Sequence, residues 1–298
     1  MDMKIKIGSS EFKNPIFAAS GTFGYGEEFS RIIDINKLGA IVTKAVTLKP
    51  RKGNEGLRIA ETPAGMINRI GLENVGLDAF INEKLKFLSS LKTGIIINIA
   101  GETKNEYVAL AKVLGGLAGI HALEVNVSCP NVEKGGIEFS QDLIQFKELI
   151  KAVRKATEMP LIVKLSPSAG DILTFAKLAR DEGVDAITVS NTFKASLIDT
   201  KSQKIYIQGG LSGPAIFPLA LSNVIQVCKN IDIPVIASGG IHSVDTALQF
   251  FIAGAKAVQI GTFNFIQPDI ALQIIKGITT FMREKKLSSI NQIIGSLP

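Results

Sequence analysis

Two lysines stand inside otherwise apolar runs, Lys44 in Ile41-Val42-Thr43-Lys44-Ala45 and Lys164 in Leu161-Ile162-Val163-Lys164-Leu165. An ammonium buried without a partner is costly, so each calls for an anion or a hydrogen-bond acceptor beside it. Another run ends Asn126-Val127-Ser128-Cys129-Pro130-Asn131, with Gly135-Gly136 close behind. That polar setting suits a reactive thiol, whereas Cys228, in Val224-Ile225-Gln226-Val227-Cys228, reads as a small core side chain. Small residues close two further runs, Ser238-Gly239-Gly240 and Gly261-Thr262. Backbone N–H groups in such turns hold phosphate, and glycine keeps a Cβ out of the anion's way. The amides Asn98, Asn126 and Asn191 also fall at the ends of runs. Lysines, glycine turns and amides converging on one pocket suit a flat, polar, anionic cofactor such as FMN. Neither a Walker loop nor a Gly-x-Gly-x-x-Gly after a strand occurs, which disfavours nucleotide triphosphates and a Rossmann site.

The elements that must position these residues alternate along the chain. Apolar, β-branched runs begin near Pro15, Ala40, Gly94, His121, Leu161, Ala186, Pro234 and Ala257. Helical patterns lie between them, as in Leu77 to Leu91, Asp142 to Thr157, Asp171 to Glu182 and Val244 to Ala253. Nearly continuous hydrophobic strands are buried on both faces, as parallel strands are. The pattern predicts an α/β fold, a (β/α)8 TIM barrel, and an open doubly wound sheet is the alternative. Lys4 to Lys13 reads as a short N-terminal β-hairpin that plugs the bottom of the barrel. The longest connections follow strands 2, 4 and 6, on the face where barrels carry their sites. No linker divides the chain, so 1–298 reads as a single barrel domain.

Composition narrows the class. Of 298 residues, 46% are hydrophobic and 20% charged, enough for a large core without disulfides or a structural metal. Two cysteines exclude a disulfide framework and a Cys-rich zinc or iron–sulfur centre, and two histidines disfavour a multi-His metal site. The net charge of +6 comes from bases interleaved with acids, as in Glu83-Lys84-Leu85-Lys86, which reads as solvated helix faces rather than a nucleic-acid patch. Residues 1–7 carry no apolar core of signal-peptide length, and no run approaches the ~20 residues of a membrane span. The expectation is a cytoplasmic protein with no membrane or nucleic-acid partner.

With these residues assembled, the chain resembles the class 1 dihydroorotate dehydrogenases, most of all the class 1B catalytic subunit, essentially end to end. The matching pieces are Ala19-Ser20-Gly21-Thr22, Thr43-Lys44-Ala45-Val46-Thr47, Asn68-Arg69-Ile70-Gly71-Leu72 and Asn126-Val127-Ser128-Cys129-Pro130-Asn131. They continue with Val163-Lys164-Leu165, Ser190-Asn191-Thr192, Gly209-Gly210-Leu211-Ser212-Gly213-Pro214-Ala215, Ser238-Gly239-Gly240 and Gly261-Thr262. The cysteine loop and the Gly-Gly-Leu-Ser-Gly stretch are specific in this order; the glycine turns alone are not. The resemblance implies one FMN per chain and oxidation of dihydroorotate to orotate in de novo pyrimidine biosynthesis. By the same resemblance Ser20, Lys44, Ala45, Asn98, Asn126, Lys164, Ser190, Gly213, Gly239, Gly240, Gly261 and Thr262 contact FMN. Lys44, Asn68, Arg69, Ile70, Gly71, Leu72, Asn126, Asn191 and Thr192 would hold the substrate, and no metal is implied. Cys129 would be the general base, taking a proton from C5 while hydride passes from C6 to flavin N5. A thiol of ordinary pKa, near ~8.5, is only partly ionised at neutrality, so activity is expected to rise with pH. The class 1B likeness, chiefly Asn68 to Asn74 with Lys134-Gly135-Gly136, implies a homodimer that binds separate FAD and 2Fe–2S subunits. That heterotetramer would pass electrons to NAD.

The chain departs from the family pattern at Ala195-Ser196, along Lys201 to Gln208, at Phe217 in place of a usual lysine, and at Phe139-Ser140. None of these is expected to touch a matched cofactor position. Rival readings are another FMN barrel acting on a dihydropyrimidine, a class 1A type enzyme using fumarate, a cofactor-free lyase with Lys44 or Lys164 as Schiff-base nucleophile, and a barrel without activity that serves as a scaffold.

Overall fold

A computed structural model describes all 298 residues except 129, 132–136 and 168–169. Eight parallel strands form a closed barrel: β1 (Ile16–Ala18), β2 (Ala40–Val42), β3 (Gly94–Ile99), β4 (Ala122–Asn126), β5 (Leu161–Lys164), β6 (Ala186–Val189), β7 (Val235–Ser238) and β8 (Ala257–Ile260). Each pairs with the next, and β8 closes on β1 through Val258↔Ile16, Gln259↔Phe17 and Ile260↔Ala18. Every residue of these strands except Asn126 is buried, as continuous apolar runs require when helices cover one side and the barrel interior fills the other.

The helices fall where the periodicity places them, and their ends have local causes. Leu143–Ala156 starts at Asp142, whose carboxylate accepts from the N–H of Ile144 at 2.9 Å and of Gln145 at 3.1 Å. Ile172–Asp181 is capped by Asp171, and Val244–Ile252 by a Ser243–Thr246 capping box. The helical stretch after β2 runs from Gly76–Ala79 through a π-helical segment, Phe80–Lys84, to Leu85–Ser89. The first strand–helix unit differs from the ideal: between β1 and β2 the chain makes two 3-10 turns, Phe29–Arg31 and Ile35–Lys37, in place of an α-helix. No helix among the described residues is long and apolar enough to cross a membrane.

The predicted hairpin is present, Ile5–Ile7 paired with Ser10–Phe12. The Phe12 ring stacks at a tilt on Phe17 with centroids 5.0 Å apart, and Ser10 Oγ donates to the carbonyl of His121 at 2.6 Å. His121 directly precedes β4, where its Nδ1 accepts from Ile95 N–H at 3.1 Å and burial lowers its pKa below the usual histidine value. The hairpin thus plugs the end of the barrel opposite the strand C-termini.

At that other end, the long connections after β2 and β6 are not irregular loops. They form one four-stranded antiparallel sheet in the order Phe193–Asp199, Lys204–Ser212, Gly65–Asn68, Ile59–Thr62. Its apolar side gathers Ala60, Ile67 and Ile207 with Ala195, Leu197 and Leu211 around them. Ala195 thereby finds its place opposite Gly209 in the register. The connection after β4 carries a short antiparallel pair, Ile137↔Asn131 and Glu138↔Pro130.

The Asp142 cap opens the helix that directly follows this last connection. Asp142→Ala is expected to cost about 0.5–2 kcal/mol, or roughly 2–4 °C of melting temperature per kcal/mol for a chain of this size. Asp142→Asn should hold most of it. Equal melting temperatures for Asp142→Ala and the unmutated chain would remove the cap from the account.

Candidate active site at the barrel mouth

The barrel interior below the mouth is polar. Asn98, Glu124, Lys164, Thr188 and Gln259, one each from β3, β4, β5, β6 and β8, are 1%, 0%, 5%, 0% and 1% exposed, so they must satisfy one another. The Glu124 carboxylate accepts from Asn98 Nδ2 at 2.8 Å, Thr188 Oγ1 at 2.8 Å and Gln259 Nε2 at 2.6 Å. Lys164 Nζ donates to Gln259 Oε1 at 3.4 Å and to Ser20 Oγ at 3.2 Å. Ser20 follows β1, so the ammonium points toward the C-terminal face. Asn98 Oδ1 is buried with no hydrogen-bond partner among the described residues. Thr43 Oγ1 accepts from Asn98 N–H at 3.3 Å, and the next residue, Lys44, is half-buried at the end of β2.

Above this floor the strand-end amides meet. Asn126 Oδ1 accepts from Ser128 N–H at 3.2 Å and from Asn191 Nδ2 at 3.4 Å, and Asn191 Nδ2 also reaches Ser128 Oγ at 3.0 Å. Asn191 Oδ1 accepts from Thr192 N–H at 2.8 Å. Ser190, buried between β6 and β7, donates its N–H to Ser238 O at 3.0 Å. Behind Asn126, Tyr107 donates its hydroxyl to the Asn126 carbonyl at 2.7 Å, and the Tyr107 ring meets Phe139 edge-on at 5.7 Å. Phe139, one of the departures, is therefore a buried brace for the cysteine connection.

The mouth sheet joins this cluster through two glycines. A Cβ on Gly210 would sit 2.0 Å from Thr192 Oγ1, and one on Gly209 would sit 2.1 Å from the Asn68 carbonyl. Only glycine lets the sheet approach both residues so closely. Asn68 Nδ2 donates to Gly210 O at 3.2 Å, bringing Asn68 into line with Thr192, Asn191 and Asn126. Leu72 packs with Ala45 and Ala100, and buried Asn74 ties its segment to Thr47. Arg69 and Gly71 are exposed, and Ile70 is half-buried with its carbonyl on Asn54 N–H.

The glycine turns lie side by side at the ends of β7 and β8. The N–H groups of Gly239, Gly240 and Gly261 donate to no backbone carbonyl among the described residues. Gly261 precedes the 3-10 turn Thr262–Phe265, whose start has no side-chain cap. Thr262 Oγ1 donates to Ser212 Oγ at 2.7 Å, and a Cβ on Gly213 would lie 3.6 Å from the Thr262 methyl. Phe217 needs a correction. It was expected to miss the cofactor positions, yet a Cβ on Gly240 would lie 2.5 Å from its backbone N and Cα. It opens the helix Phe217–Cys228, with its ring edge-on to Phe250 at 5.4 Å.

Cys129 lies outside the described residues, as do Lys134, Gly135 and Gly136. Cys228 is the contrast, half-buried in a helix, where burial pushes its thiol up to about 12. Sequence reasoning passed over Glu124, Thr188 and Gln259. Each is a polar residue inside an apolar run, the same signal that singled out Lys164.

The dihydroorotate dehydrogenase family model matches residues 2–282. The dihydroorotate dehydrogenase B (NAD(+)) catalytic subunit of Thermodesulfovibrio yellowstonii is 50% identical, over 99% of this chain and 98% of its own. The subunits of that name from Trichlorobacter lovleyi and Thermoanaerobacter sp. are 48% and 47% identical, over 99% and 100% of this chain and 98% and 99% of their own. Among solved structures, a DHODH from Eimeria tenella in complex with ferulenol superposes with a TM-score of 0.82, over 99% of this chain and 88% of that one. At 22% identity, that likeness concerns the fold. Matched from residue 2 to residue 282 and nearly half identical to full-length relatives, the chain belongs to the dihydroorotate dehydrogenase family.

Proposed function

We propose that this chain is the catalytic subunit of an NAD-linked dihydroorotate dehydrogenase, oxidising dihydroorotate to orotate in pyrimidine biosynthesis. The observation that carries the reading is 50% identity over 99% of the chain to a curated subunit of that name. We read the whole chain as one FMN-binding barrel domain acting in the cytoplasm.

The residues present fit FMN. The adjacent glycine turns offer N–H groups that donate to no backbone carbonyl among the described residues, and a turn start without a side-chain cap, the chemistry a phosphate needs. Gly261 is a cradle: a Cβ there would meet nothing closer than Ala19 Cβ at 3.6 Å, so the space beside it is not filled by the chain's own atoms. Asn98 Oδ1 is a buried acceptor awaiting a donor. The holding set is Ser20, Lys44, Ala45, Asn98, Asn126, Lys164, Ser190, Gly213, Gly239, Gly240, Gly261 and Thr262. When bound, FMN supplies the two-electron hydride acceptor.

The chain's own residues do the rest. Lys164, turned toward Ser20, would supply positive charge to stabilise negative charge on the reduced flavin. Asn126, Asn191 and Thr192 are linked by hydrogen bonds, Asn68 is held on Gly210 of the mouth sheet, and their amides and hydroxyl can both donate to and accept from a planar ring. Lys44, with Asn68 to Leu72, completes the substrate set on the side of the mouth sheet. Cys129 Sγ takes the substrate proton as general base, its flanks fixed by the Asn126–Ser128 bond before it and the antiparallel pair after it. We read the electrons as leaving through a partner, a reading that fits a chain with no Rossmann fingerprint and no cysteine set for an iron–sulfur cluster. A homodimer of barrels with two FAD and 2Fe–2S subunits is the assembly we propose.

Cys129→Ala is expected to retain FMN but to slow anaerobic bleaching of the flavin by dihydroorotate at least ~100-fold, the scale of a lost general base. Cys228→Ala should bleach at the normal rate. Normal bleaching of Cys129→Ala would end its assignment as base.

The glycine turns separate under mutation. Gly261→Ala is expected to fold while losing FMN affinity by ~10-fold or more, equivalent to about 1.4 kcal/mol. Gly240→Ala is expected to fail earlier, in yield and melting temperature, because φ is +71° and the new Cβ would strike the Phe217 backbone. Full FMN occupancy in Gly261→Ala would move the phosphate elsewhere.

The purified chain alone is expected to reduce its flavin with dihydroorotate but to turn over poorly with NAD. Rapid NAD reduction by this chain alone would defeat the two-subunit reading, and efficient turnover with fumarate would point to a class 1A type enzyme.

A further inference from the structure

Glu124 touches no residue of the proposed substrate set, yet it accepts hydrogen bonds from three side chains inside the barrel. Two of them, Asn98 and Gln259, are amides, which have a donor end and an acceptor end and could face either way. A carboxylate only accepts and an ammonium only donates. Gln259 lies between the two: its Nε2 must face Glu124, at 2.6 Å, and its Oε1 must face Lys164 Nζ, at 3.4 Å. Thr188 reinforces this polarity, since its Oγ1 donates to Glu124 at 2.8 Å and so can only accept from Gln259 Nε2, at 3.4 Å. Asn98 obeys the same rule. Its Nδ2 is drawn to Glu124, and its Oδ1 is left as the buried acceptor without a partner among the described residues.

We propose that Glu124 is a positioning residue, a buried carboxylate that sets the direction of two amides and so presents one ammonium and one free acceptor to the site. Through Gln259 it holds Lys164 toward Ser20, and through Asn98 it leaves an oxygen open to a donor on a bound ligand. The part concerning a ligand rests on the FMN reading above; the relay from Glu124 to Lys164 does not. Glu124 and Lys164 share no direct bond, so a hydrogen-bonded link between them runs through Gln259, whereas direct Coulomb attraction would survive the loss of Gln259.

Two measurements on the full chain separate these parts. Without cofactor, Glu124→Gln and Lys164→Met are each expected to lower the melting temperature, and the double variant by less than the sum. In a Gln259→Leu background the same two losses should become additive. With FMN added, Glu124→Gln is expected to weaken binding about 10-fold, the scale of one lost charged hydrogen bond. Once Lys164 is methionine, most of that effect should disappear. Additive losses in the unmutated background, or an undiminished FMN affinity in Glu124→Gln, would overturn the relay. If the chain takes up no FMN at all, the cofactor reading falls while the melting cycle still decides the relay. Should Glu124→Gln fail to fold, Glu124→Asp paired with Lys164→Met, in the unmutated and the Gln259→Leu background, gives the same test, since the shorter carboxylate draws back from Gln259 Nε2.

Discussion

The polar interior of this barrel is organised around one carboxylate. Glu124 is fully buried, and a charge there is tolerable only because three donors from three other strands converge on it. Those donors in turn fix where Lys164 and Asn98 face. Barrel closure makes the arrangement possible: an open sheet would not bring a side chain of β8 within 2.6 Å of one on β4. The fold and the chemistry of the mouth are therefore one constraint seen from two ends. Closure brings the polar side chains together, and their mutual satisfaction makes a polar barrel interior acceptable.

The mouth is assembled by chain segments far apart in sequence. Asn68 comes from the connection after β2, Thr192 from the end of β6, and both rest on glycines of the strand Lys204–Ser212. A four-stranded sheet built from two insertions does what a flexible loop could not: it holds Asn68 at a fixed height beside the strand-end amides. Its own apolar cluster, around Ile67 and Ile207, is separate from the main core, so the sheet is stabilised locally while docked to the barrel. Leu72, packed on Ala45 and Ala100, is a further anchor.

The barrel was legible in the sequence because parallel strands buried on both faces leave apolar runs that only a few folds accommodate. The helix starts at Asp142, Asp171 and Ser243 were legible for a local reason, a cap side chain just before each periodic stretch. The mouth sheet was not. Its strands alternate between half-buried and exposed residues, as Phe193–Asp199 does, and their pairing is set by contacts across more than a hundred residues. Asn126, Asn191 and Thr192 could be chosen as strand-end residues, but their meeting with Asn68 depends on that sheet. Glu124 was visible and overlooked: an acid inside Ala122-Leu123-Glu124-Val125 carries the same anomaly as a lysine in Leu161-Ile162-Val163-Lys164.

Glycine is where sequence and geometry part most clearly. Gly240 and Gly261 look alike in the chain, each closing an apolar strand beside a small residue. Geometry assigns them different reasons. Gly240 has a positive φ and lies against the first residue of a helix, so the protein needs it whether or not anything binds. Gly261 has a negative φ, and a Cβ there would make only ordinary contacts with Ala19 and Thr22. The neighbouring chain leaves room beside Gly261, the adjacent N–H groups donate to no backbone carbonyl among the described residues, and the turn start has no side-chain cap, so that room is open to something other than the chain. That distinction makes Gly261 the sharper pointer to an anion. It also shows why a glycine motif read from sequence mixes the needs of folding with the needs of binding.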